Sequence, residues 1–348
     1  MVNWSDTRFR ELSGARVPII QAPMAGAGGV DLAVGAIQAG AVGSLPCALL
    51  TPEQVHAQAS EVRARASGPL NLNFFCHDMP AEPDDRAWRA ALAPFYAEFG
   101  IDDQGESTPL RRPFDAAMAE AVEAIRPELV SFHFGLPGGA LLARVQASGA
   151  KVIGNATTAS EAAFLAVTGC DAIIAQGFEA GGHAGYFLDG HRPVGLLTLL
   201  RQCDLVVAAP VIAAGGIADG EGFAAAMMAG ASAVQIGTAY LNGPESLISA
   251  RHRELMHSGE STVFTNVFSG RPARGFRNRL VNELGPMSDV APPFPYAATA
   301  LAPLRARAPD DFSPFWAGQN ASMASDLRAS ELTSRLAAEA LALLEGAA

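Results

Sequence analysis

Residues 211–238 read VIAAGGIADGEGFAAAMMAGASAVQIGT. Two short apolar runs, Val211–Gly215 and Ala233–Gly237, each end in glycine, and the Ala-rich run Asp219–Ala229 lies between them. This pattern predicts a strand, a helix that Asp219 caps, and a second strand parallel to the first. A strand–helix–strand unit of this kind is the building block of an α/β fold with a parallel sheet.

The same unit recurs throughout residues 18–256, where apolar runs alternate with Ala-rich helical runs. Eight such units predict a closed (β/α)8 barrel, or TIM barrel, although periodicity alone also allows an open doubly wound sheet. The predicted strands are Pro18–Met24, Ala41–Leu45, Leu70–Phe75, Leu129–Phe134, Lys151–Thr157, Ala172–Gln176, Val211–Gly215 and Ala233–Gly237. The predicted helices are Asp31–Ala39, Pro52–Ala66, Phe114–Ile125, Gly139–Ala147, Ser160–Thr168, Val194–Gln202, Asp219–Ala229 and Ser246–Met256.

Composition and charge exclude several classes of protein. The chain has 348 residues, 49% of them hydrophobic and 17% charged, and can therefore bury a large core. The net charge is -11 without a cluster of Lys and Arg on a predicted helix, which argues against a nucleic-acid partner. Apolar runs such as Leu205–Ile217 fall short of the roughly 20 residues of a membrane-spanning helix. Met1–Arg10 lacks the apolar core of a signal peptide, so we expect no membrane partner and a cytoplasmic location.

The cysteines and the lysine argue against metal and amine chemistry. Cys47, Cys76, Cys170 and Cys203 are scattered without a CxxC pair, so we interpret them as reduced thiols and expect no metal site. Lys151 is the only lysine and begins a predicted strand, at the end of the barrel opposite the usual pocket. Its position argues against Schiff-base catalysis.

Two consecutive glycine loops predict a phosphate site. Gly215 and Gly216 follow strand seven, and Gly237 and Thr238 follow strand eight. In a barrel these loops meet at the C-terminal face, where backbone N–H groups and a helix N-terminus attract phosphate. Either loop alone is explained as a simple turn, but the two together at neighbouring strands favour phosphate binding.

The ends of three other strands indicate a flat cofactor. Strand one ends in Gln21-Ala22-Pro23-Met24, followed by a glycine-rich run, and presents a backbone edge with few bulky side chains. Asn73 and Gln176 end strands three and six, and their amides suit the pyrimidine edge of a flavin, or cap a loop.

Two histidines are candidates for chemistry. His183 lies between glycines in Gln176–Gly185, where no apolar periodicity explains it as core, and histidine suits proton transfer near neutral pH. His133 lies at the end of strand four, in Ser131–Pro137. It is either a buried, hydrogen-bonded residue or a partner of His183 that faces the same substrate. The other histidines, which we interpret as surface or loop residues, are His56, His77, His191, His252 and His257.

Two segments fall outside the repeat. The insertion Cys76–Pro113 follows strand three, and Val263–Gln319 holds many of the prolines. Both are predicted to form a cap over one end of the barrel, and Leu332, Leu336 and Leu343 mark a final amphipathic helix. We therefore expect a barrel in residues 1–250 with its insertion 76–113, a cap in 251–320, and a C-terminal helix in 321–348 that packs back on the barrel.

At these residues the sequence resembles the nitronate monooxygenases, formerly called 2-nitropropane dioxygenases, and specifically their bacterial class I branch. The resemblance covers nearly the whole chain. Its blocks are Gln21–Gly26, Ser131–Pro137, Gln176–Gly185, Ala213–Thr238, Ser269–Gly275 and Trp316–Gln319.

The resemblance implies non-covalent FMN, with its phosphate in the loops after strands seven and eight. It also implies oxidation of an anionic alkyl nitronate, such as propionate 3-nitronate, with O2 to a carbonyl compound and nitrite, by a monomer or homodimer. His183 matches the catalytic histidine, and the expected substrate contacts are His133, Met24 and Tyr296. The expected cofactor contacts are Ala22, Pro23, Met24, Asn73, Thr157, Gln176, Gly181, Gly182, Ala214, Gly215, Gly216, Gln235, Ile236, Gly237 and Thr238.

Two departures and two alternatives accompany this resemblance. Ala184 replaces a longer polar residue, and Pro292–Arg305, with its candidate Arg305, is hard to align with the family. An NAD(P)H-dependent flavin reductase acting on a quinone or an enoyl thioester has the same fold and glycine loops, so the fold does not decide the chemistry. The second alternative is not an enzyme but a barrel that binds flavin without catalysis. This alternative leaves His183 without a role.

Overall fold

The computed structural model describes residues 4–102 and 110–347. The strands in these ranges belong to two sheets, a parallel one and a smaller antiparallel one. In chain order they are β1 (Ile19–Gln21), β2 (Gly43–Pro46), β3 (Leu70–Phe75), β4 (Leu129–His133), β5 (Lys151–Ala156), β6 (Ala172–Gln176), β7 (Gly182–His183), β8 (Val211–Ala214), β9 (Ala233–Ile236), β10 (Val263–Thr265), β11 (Ala273–Phe276) and β12 (Phe315–Trp316).

The parallel sheet is a closed barrel. Its eight strands follow the order β1-β9-β8-β6-β5-β4-β3-β2. Its first and last strands are joined by a parallel bridge between Ile20 and Val42, where the N–H of Gln21 donates to the Val42 carbonyl oxygen at 2.9 Å. The predicted (β/α)8 barrel is therefore confirmed, and the alternative prediction, an open doubly wound sheet, is wrong. β1 ends before Ala22-Pro23 because proline has no N–H for the ladder.

Helices separate the barrel strands as the repeat predicts. Asp219 accepts a hydrogen bond from the N–H of Gly222 at 2.8 Å, and Thr51 and Gln54 form a reciprocal capping box. The helices are α1 (Arg8–Ser13), α2 (Val30–Gln38), α3 (Pro52–Arg65), α4 (Arg86–Phe99), α5 (Ala116–Ile125), α6 (Gly139–Ala147), α7 (Ala159–Thr168), α8 (Leu196–Asp204), α9 (Gly220–Met228), α10 (Ala250–His257), α11 (Arg279–Leu284), α12 (Ala297–Arg307), α13 (Pro309–Phe312) and α14 (Ala329–Gly346).

The barrel interior is apolar at one end and polar at the other. Ile20, Ile153 and Ile212 share an apolar cluster with Phe9 of α1, the short helix before the first strand. Filling that end with side chains makes the barrel a packed core rather than a pore. The carboxyl ends of the strands carry the polar side chains and leave space for a cavity.

None of the four described strands of the antiparallel sheet was predicted from the periodicity. β11 pairs with β10 and β12, and also with β7, which directly follows barrel strand β6. In this pairing Ala273 lies opposite His183, and Arg274 opposite Gly182. The loop that carries His183 is therefore part of a sheet built from the C-terminal region.

A second hydrophobic cluster joins the insertion to the C-terminal region. Trp88 and Leu92 of α4 are fully buried against residues that include Val267, Leu301 and Phe312. Residues 103–109 of the insertion lie outside the described residues. The division of the chain at residues 250 and 320 stays a prediction.

The last helix, α14, packs on α2 and α9 of the barrel. Leu332 and Leu336 are buried, but Leu343 is 44% exposed, because the buried face continues instead through Ala340 and the partly buried Leu344. Within residues 4–102 and 110–347, no helix is both long enough and apolar enough to cross a membrane.

Candidate active site

A cavity of about 570 Å³ opens at the carboxyl ends of the barrel strands. It is lined from both sides, by strand ends of the barrel and by the C-terminal region around Trp316. It brings together most of the residues predicted from the sequence. These are Ala22, Pro23, Met24, Asn73, His133, Gln176, Gly181, Gly182, His183, Ala214, Gly215, Gly216, Gln235, Gly237 and Thr238.

Three predicted contacts lie elsewhere. Thr157 turns away from the cavity and donates from both its N–H and its hydroxyl to Glu161 Oε2, at 2.7 and 2.8 Å. Ile236 is packed in the core between strands and helices, and its carbonyl oxygen accepts from the N–H of Ala22 at 2.8 Å. The hydroxyl of Tyr296 donates to the carbonyl oxygen of Pro80 at 2.9 Å. Local hydrogen bonding and core packing thus occupy the side chains that the resemblance assigned to ligands.

His183 is buried on the cavity wall and is held by the C-terminal region. Its Nε2 lies 2.9 Å from the hydroxyl oxygen of Ser269. Four aromatic rings surround the imidazole, with centroids at 5.5 Å for Phe294, 5.6 Å for Trp316, 5.9 Å for Phe134 and 6.2 Å for Phe75. An imidazole enclosed in this way has a fixed orientation and little access to bulk water.

The surroundings of both histidines favour the neutral imidazole. Burial, followed by the nearby charge of Arg111, lowers the pKa of His183 well below its usual value. Burial, with the charge of Arg271, also lowers the pKa of His133 to about 3. At neutral pH each ring therefore keeps one nitrogen with a lone pair and one with a proton.

Gln176 organises the loop that carries His183. Its Oε1 accepts from the N–H of Gly185 at 2.8 Å and from Asn155 Nδ2 at 3.1 Å, while its Nε2 donates to the His183 carbonyl oxygen at 2.9 Å. His133 Nε2 lies 3.2 Å from the same carbonyl oxygen. The amide oxygen expected at a flavin edge is thus already engaged, and Asn155 is a site residue that the sequence did not reveal.

The two glycine loops have the backbone shape that the sequence indicated. Gly215 and Gly216 have φ values of +124° and +70°, a region that side-chain-bearing residues rarely adopt. The C-terminal region closes over these loops, because the N–H of Gly318 donates to Thr238 Oγ1 at 2.9 Å and Asn320 Nδ2 donates to the Gly216 carbonyl oxygen at 2.5 Å. Both glycine loops line one side of the cavity.

Several other site residues were missed or misplaced by sequence reasoning. Ser269 opens the Ser269–Gly275 block, which the resemblance marked without assigning it a role. His77 and His252 were expected at the surface but are only 4% and 6% exposed. Arg111 lines the cavity from the insertion, where no periodic pattern pointed to it. Among the described residues, no group of three or more His, Cys, Asp or Glu is arranged to hold a metal ion.

A closed barrel with glycine loops and a buried histidine around one cavity defines a TIM-barrel enzyme. The profile of the nitronate monooxygenase family matches residues 6–339. A nitronate monooxygenase of Pseudomonas aeruginosa is 40% identical over 346 residues, which cover 95% of this chain and 98% of that protein. One of Paraburkholderia phytofirmans is 37% identical over 347 residues, covering 94% and 93% respectively.

Solved structures agree with this assignment. A nitroalkane oxidase from Streptomyces ansochromogenes superposes with a TM-score of 0.88 at 34% identity, covering 98% of this chain and 99% of that chain. The chain belongs to the nitronate monooxygenase family, whose members are flavin-dependent oxidoreductases.

Proposed function

We propose that this protein binds FMN and oxidises alkyl nitronates, such as propionate 3-nitronate, with O2 to a carbonyl compound and nitrite. The observation that carries the proposal is the position of His183, a buried neutral imidazole on the wall of the cavity that the glycine loops also line. Two nitronates and one O2 balance as two carbonyl compounds and two nitrites. No reductant such as NADH is therefore required.

The cavity wall has groups that fit FMN. Backbone hydrogen bonds among the described residues do not use the N–H groups of Gly215, Gly216 and Gly237, which leaves them available for a phosphate. Gln235 Oε1 is buried and has no partner within the described part of the chain, as expected of an acceptor that awaits a ligand N–H. The volume lies in the range of roughly 300–1,000 Å³ typical of small-molecule sites.

Bound FMN would supply the electron acceptor for the oxidation and the group with which O2 reacts. The residues of this chain would place the nitronate and keep water out. Ala22, Pro23 and Met24 offer a wall with few bulky side chains on which a flat ring can lie. Phe75 and Trp316 line the cavity too, so the reacting carbon would be held among apolar and aromatic groups.

His183 would serve different substrates in different ways. A nitronate is already an anion, so His183 need only donate a hydrogen bond to its nitro oxygens. A neutral nitroalkane must first lose a proton, and the imidazole lone pair can accept it. Ser269 permits both roles, because one hydroxyl can accept from Nε2–H or donate to Nε2. His133 would hold the His183 carbonyl oxygen and line the cavity beside the substrate.

The decisive experiment is to purify the protein, record its absorbance spectrum, and follow O2 uptake and nitrite release. A yellow protein that releases nitrite from propionate 3-nitronate without NADH supports the proposal. Rapid bleaching of the flavin by NADH would instead identify a flavin reductase, and a colourless protein that cannot take up FMN would contradict both. Full activity in a His183→Asn variant would remove the catalytic role from His183 even if the flavin is bound.

A further inference from the structure

Arg111 brings an unneutralised positive charge to the cavity wall. Its side chain lines the cavity, and no ion pair or side-chain hydrogen bond joins its guanidinium to any residue of 4–102 or 110–347. Burial lowers the pKa of Arg111, and within residues 4–102 and 110–347 no acidic side chain opposes that effect. A buried cation without a partner destabilises the folded protein, and a bound anion would offset this effect.

Two further arginines lie near this charge, since Arg271 acts on His183 and Arg305 acts on Arg111. The guanidinium of Arg271 lies 4.1 Å from the ring centroid of Phe134, and Arg305 donates to the carbonyl oxygens of Phe312 and Phe268 at 3.1 and 3.0 Å. Burial, followed by the charge of Arg111, lowers the pKa of Arg305 to about 10. Neither arginine forms an ion pair within the described ranges of the chain. Among the described residues that line the cavity, Asp310 is the only one with a carboxylate, and no ion pair joins it to Arg111. Arg111 therefore remains available to an anion of the substrate.

The backbone holds Arg111 in a defined place. The N–H of Phe114 donates to the carbonyl oxygen of Phe75 at 2.7 Å, where the chain returns from the insertion to the end of β3. His77 Nε2 lies 3.2 Å from the Arg111 carbonyl oxygen. The backbone at Arg111 is thus held by His77 at its own carbonyl oxygen and by Phe75 at Phe114, three residues further along the chain.

The position of Arg111 excludes the cofactor phosphate as its partner. In the closed ring of eight strands, β3 and β8 are four positions apart in either direction, so they stand on opposite sides of the barrel. Arg111 is anchored at β3, whereas Gly215 and Gly216 follow β8. An anion that reaches Arg111 therefore belongs to the substrate, and the planar guanidinium matches a carboxylate through two parallel hydrogen bonds.

We propose that Arg111 binds a carboxylate at the far end of the nitronate, and that this contact makes the enzyme prefer carboxylate-bearing nitronates over simple alkyl nitronates. This assignment rests on the proposed function. Arg111 is then a specificity-determining residue, and the substrate spans the cavity from His183 to the base of the insertion.

The test compares two nitronates that differ only in this group. Propionate 3-nitronate carries a carboxylate where propyl 1-nitronate carries a methyl group. In Arg111→Gln, kcat/KM for propionate 3-nitronate should fall about 10- to 100-fold, mainly through KM, since a hydrogen bond to a charged group contributes about 1.5–3 kcal/mol. For propyl 1-nitronate it should change less than about threefold. Arg111→Lys should be intermediate, and the exposed neighbour Arg112→Gln should match the unaltered enzyme.

Calorimetry provides a readout that does not depend on turnover. Under anaerobic conditions, 3-nitropropionate should bind the unaltered protein and Arg112→Gln, and should bind Arg111→Gln at least about tenfold more weakly. Equal losses for both nitronates in Arg111→Gln and Arg111→Lys, or no loss for either, would overturn the assignment. If the unaltered enzyme oxidises neither nitronate, the proposed function fails, while loss of 3-nitropropionate binding in Arg111→Gln still identifies the carboxylate site.

Discussion

The Nε2 nitrogen of His183 lies 2.9 Å from the hydroxyl oxygen of Ser269, a residue of the C-terminal region that is only 6% exposed. The same hydroxyl lies 3.3 Å from the Arg271 carbonyl oxygen. When the hydroxyl donates to that carbonyl, Nε2 must carry the imidazole proton, and Nδ1 keeps the lone pair that a base needs. The orientation of His183, in the loop after barrel strand β6, is thus set by a residue of the C-terminal region.

We expect Ser269→Ala to affect neutral nitroalkanes more than nitronates. Without the hydroxyl, the imidazole loses the hydrogen bond that selects its tautomer, so proton abstraction from nitroethane should slow by about tenfold or more. Ethyl nitronate is already ionised and should be oxidised within about threefold of the normal rate. Nitrite release from each substrate measures the effect, with the exposed Ser334→Ala as control. Equal slowing with both substrates would contradict a role in proton transfer.

The low pKa of His133 predicts that acid destabilises the protein. As the pH falls below about 6.5, the unfolded chain protonates this histidine, whereas the folded protein does so only near pH 3. Between pH 8 and pH 5, the free energy of unfolding should therefore fall about 2 kcal/mol more in the unaltered protein than in His133→Asn. Urea unfolding at the two pH values measures this difference.

The exposed His56→Asn serves as the matched control, and its stability should follow the pH in the same way as that of the unaltered protein. Parallel pH dependence of His133→Asn and the unaltered protein would show that folding does not lower the pKa of His133.

The barrel could be predicted because each of its strands is recognisable from residues that are neighbours in the sequence. Most strands are short apolar runs that end in Gly, Pro or a polar residue, such as Ala172–Gln176, and the predicted bounds of β3 and β6 match the observed ones. The antiparallel sheet could not be predicted in the same way. Its contact between Gly182 and Arg274 joins residues far apart in sequence, and two-residue strands such as β7 have no periodicity to recognise.

The residues of the candidate site also differ in whether a local sequence pattern reveals them. The glycine loops and His183 stood out because glycines mark special backbone conformations that a sequence reveals directly. Arg111 and Ser269 reach the cavity only through the tertiary packing of irregular segments, which leaves no pattern in their neighbours. Thr157 was assigned to the cofactor by resemblance alone. In the structure its hydroxyl donates a hydrogen bond to Glu161 in the first turn of α7, a side-chain contact that the sequence does not reveal.

We expect Gln176→Met to loosen the loop that carries His183. The substitution keeps the side-chain length but removes three hydrogen bonds, and it leaves the N–H of Gly185 without its acceptor. An unsatisfied buried donor costs about 1–3 kcal/mol, so the free energy of unfolding should fall by at least that amount, and kcat about tenfold. Urea unfolding and nitrite release measure the two effects. The exposed Gln202→Met should change neither, and unchanged kcat in Gln176→Met would show that the loop keeps its shape without the amide.

We expect Gly215→Ala to weaken FMN binding. The φ of +124° at this position is strained for any residue with a Cβ, and an added Cβ would lie 3.0 Å from the backbone nitrogen of Ala180. The loop must shift to accept it, so its N–H groups no longer converge on a phosphate, and the affinity for FMN should drop more than about tenfold. Quenching of FMN fluorescence on titration with deflavinated protein gives the dissociation constant. Gly190→Ala is the matched control, because a Cβ there meets nothing within 4 Å. Equal FMN affinity in the two variants would mean that the phosphate lies outside this loop.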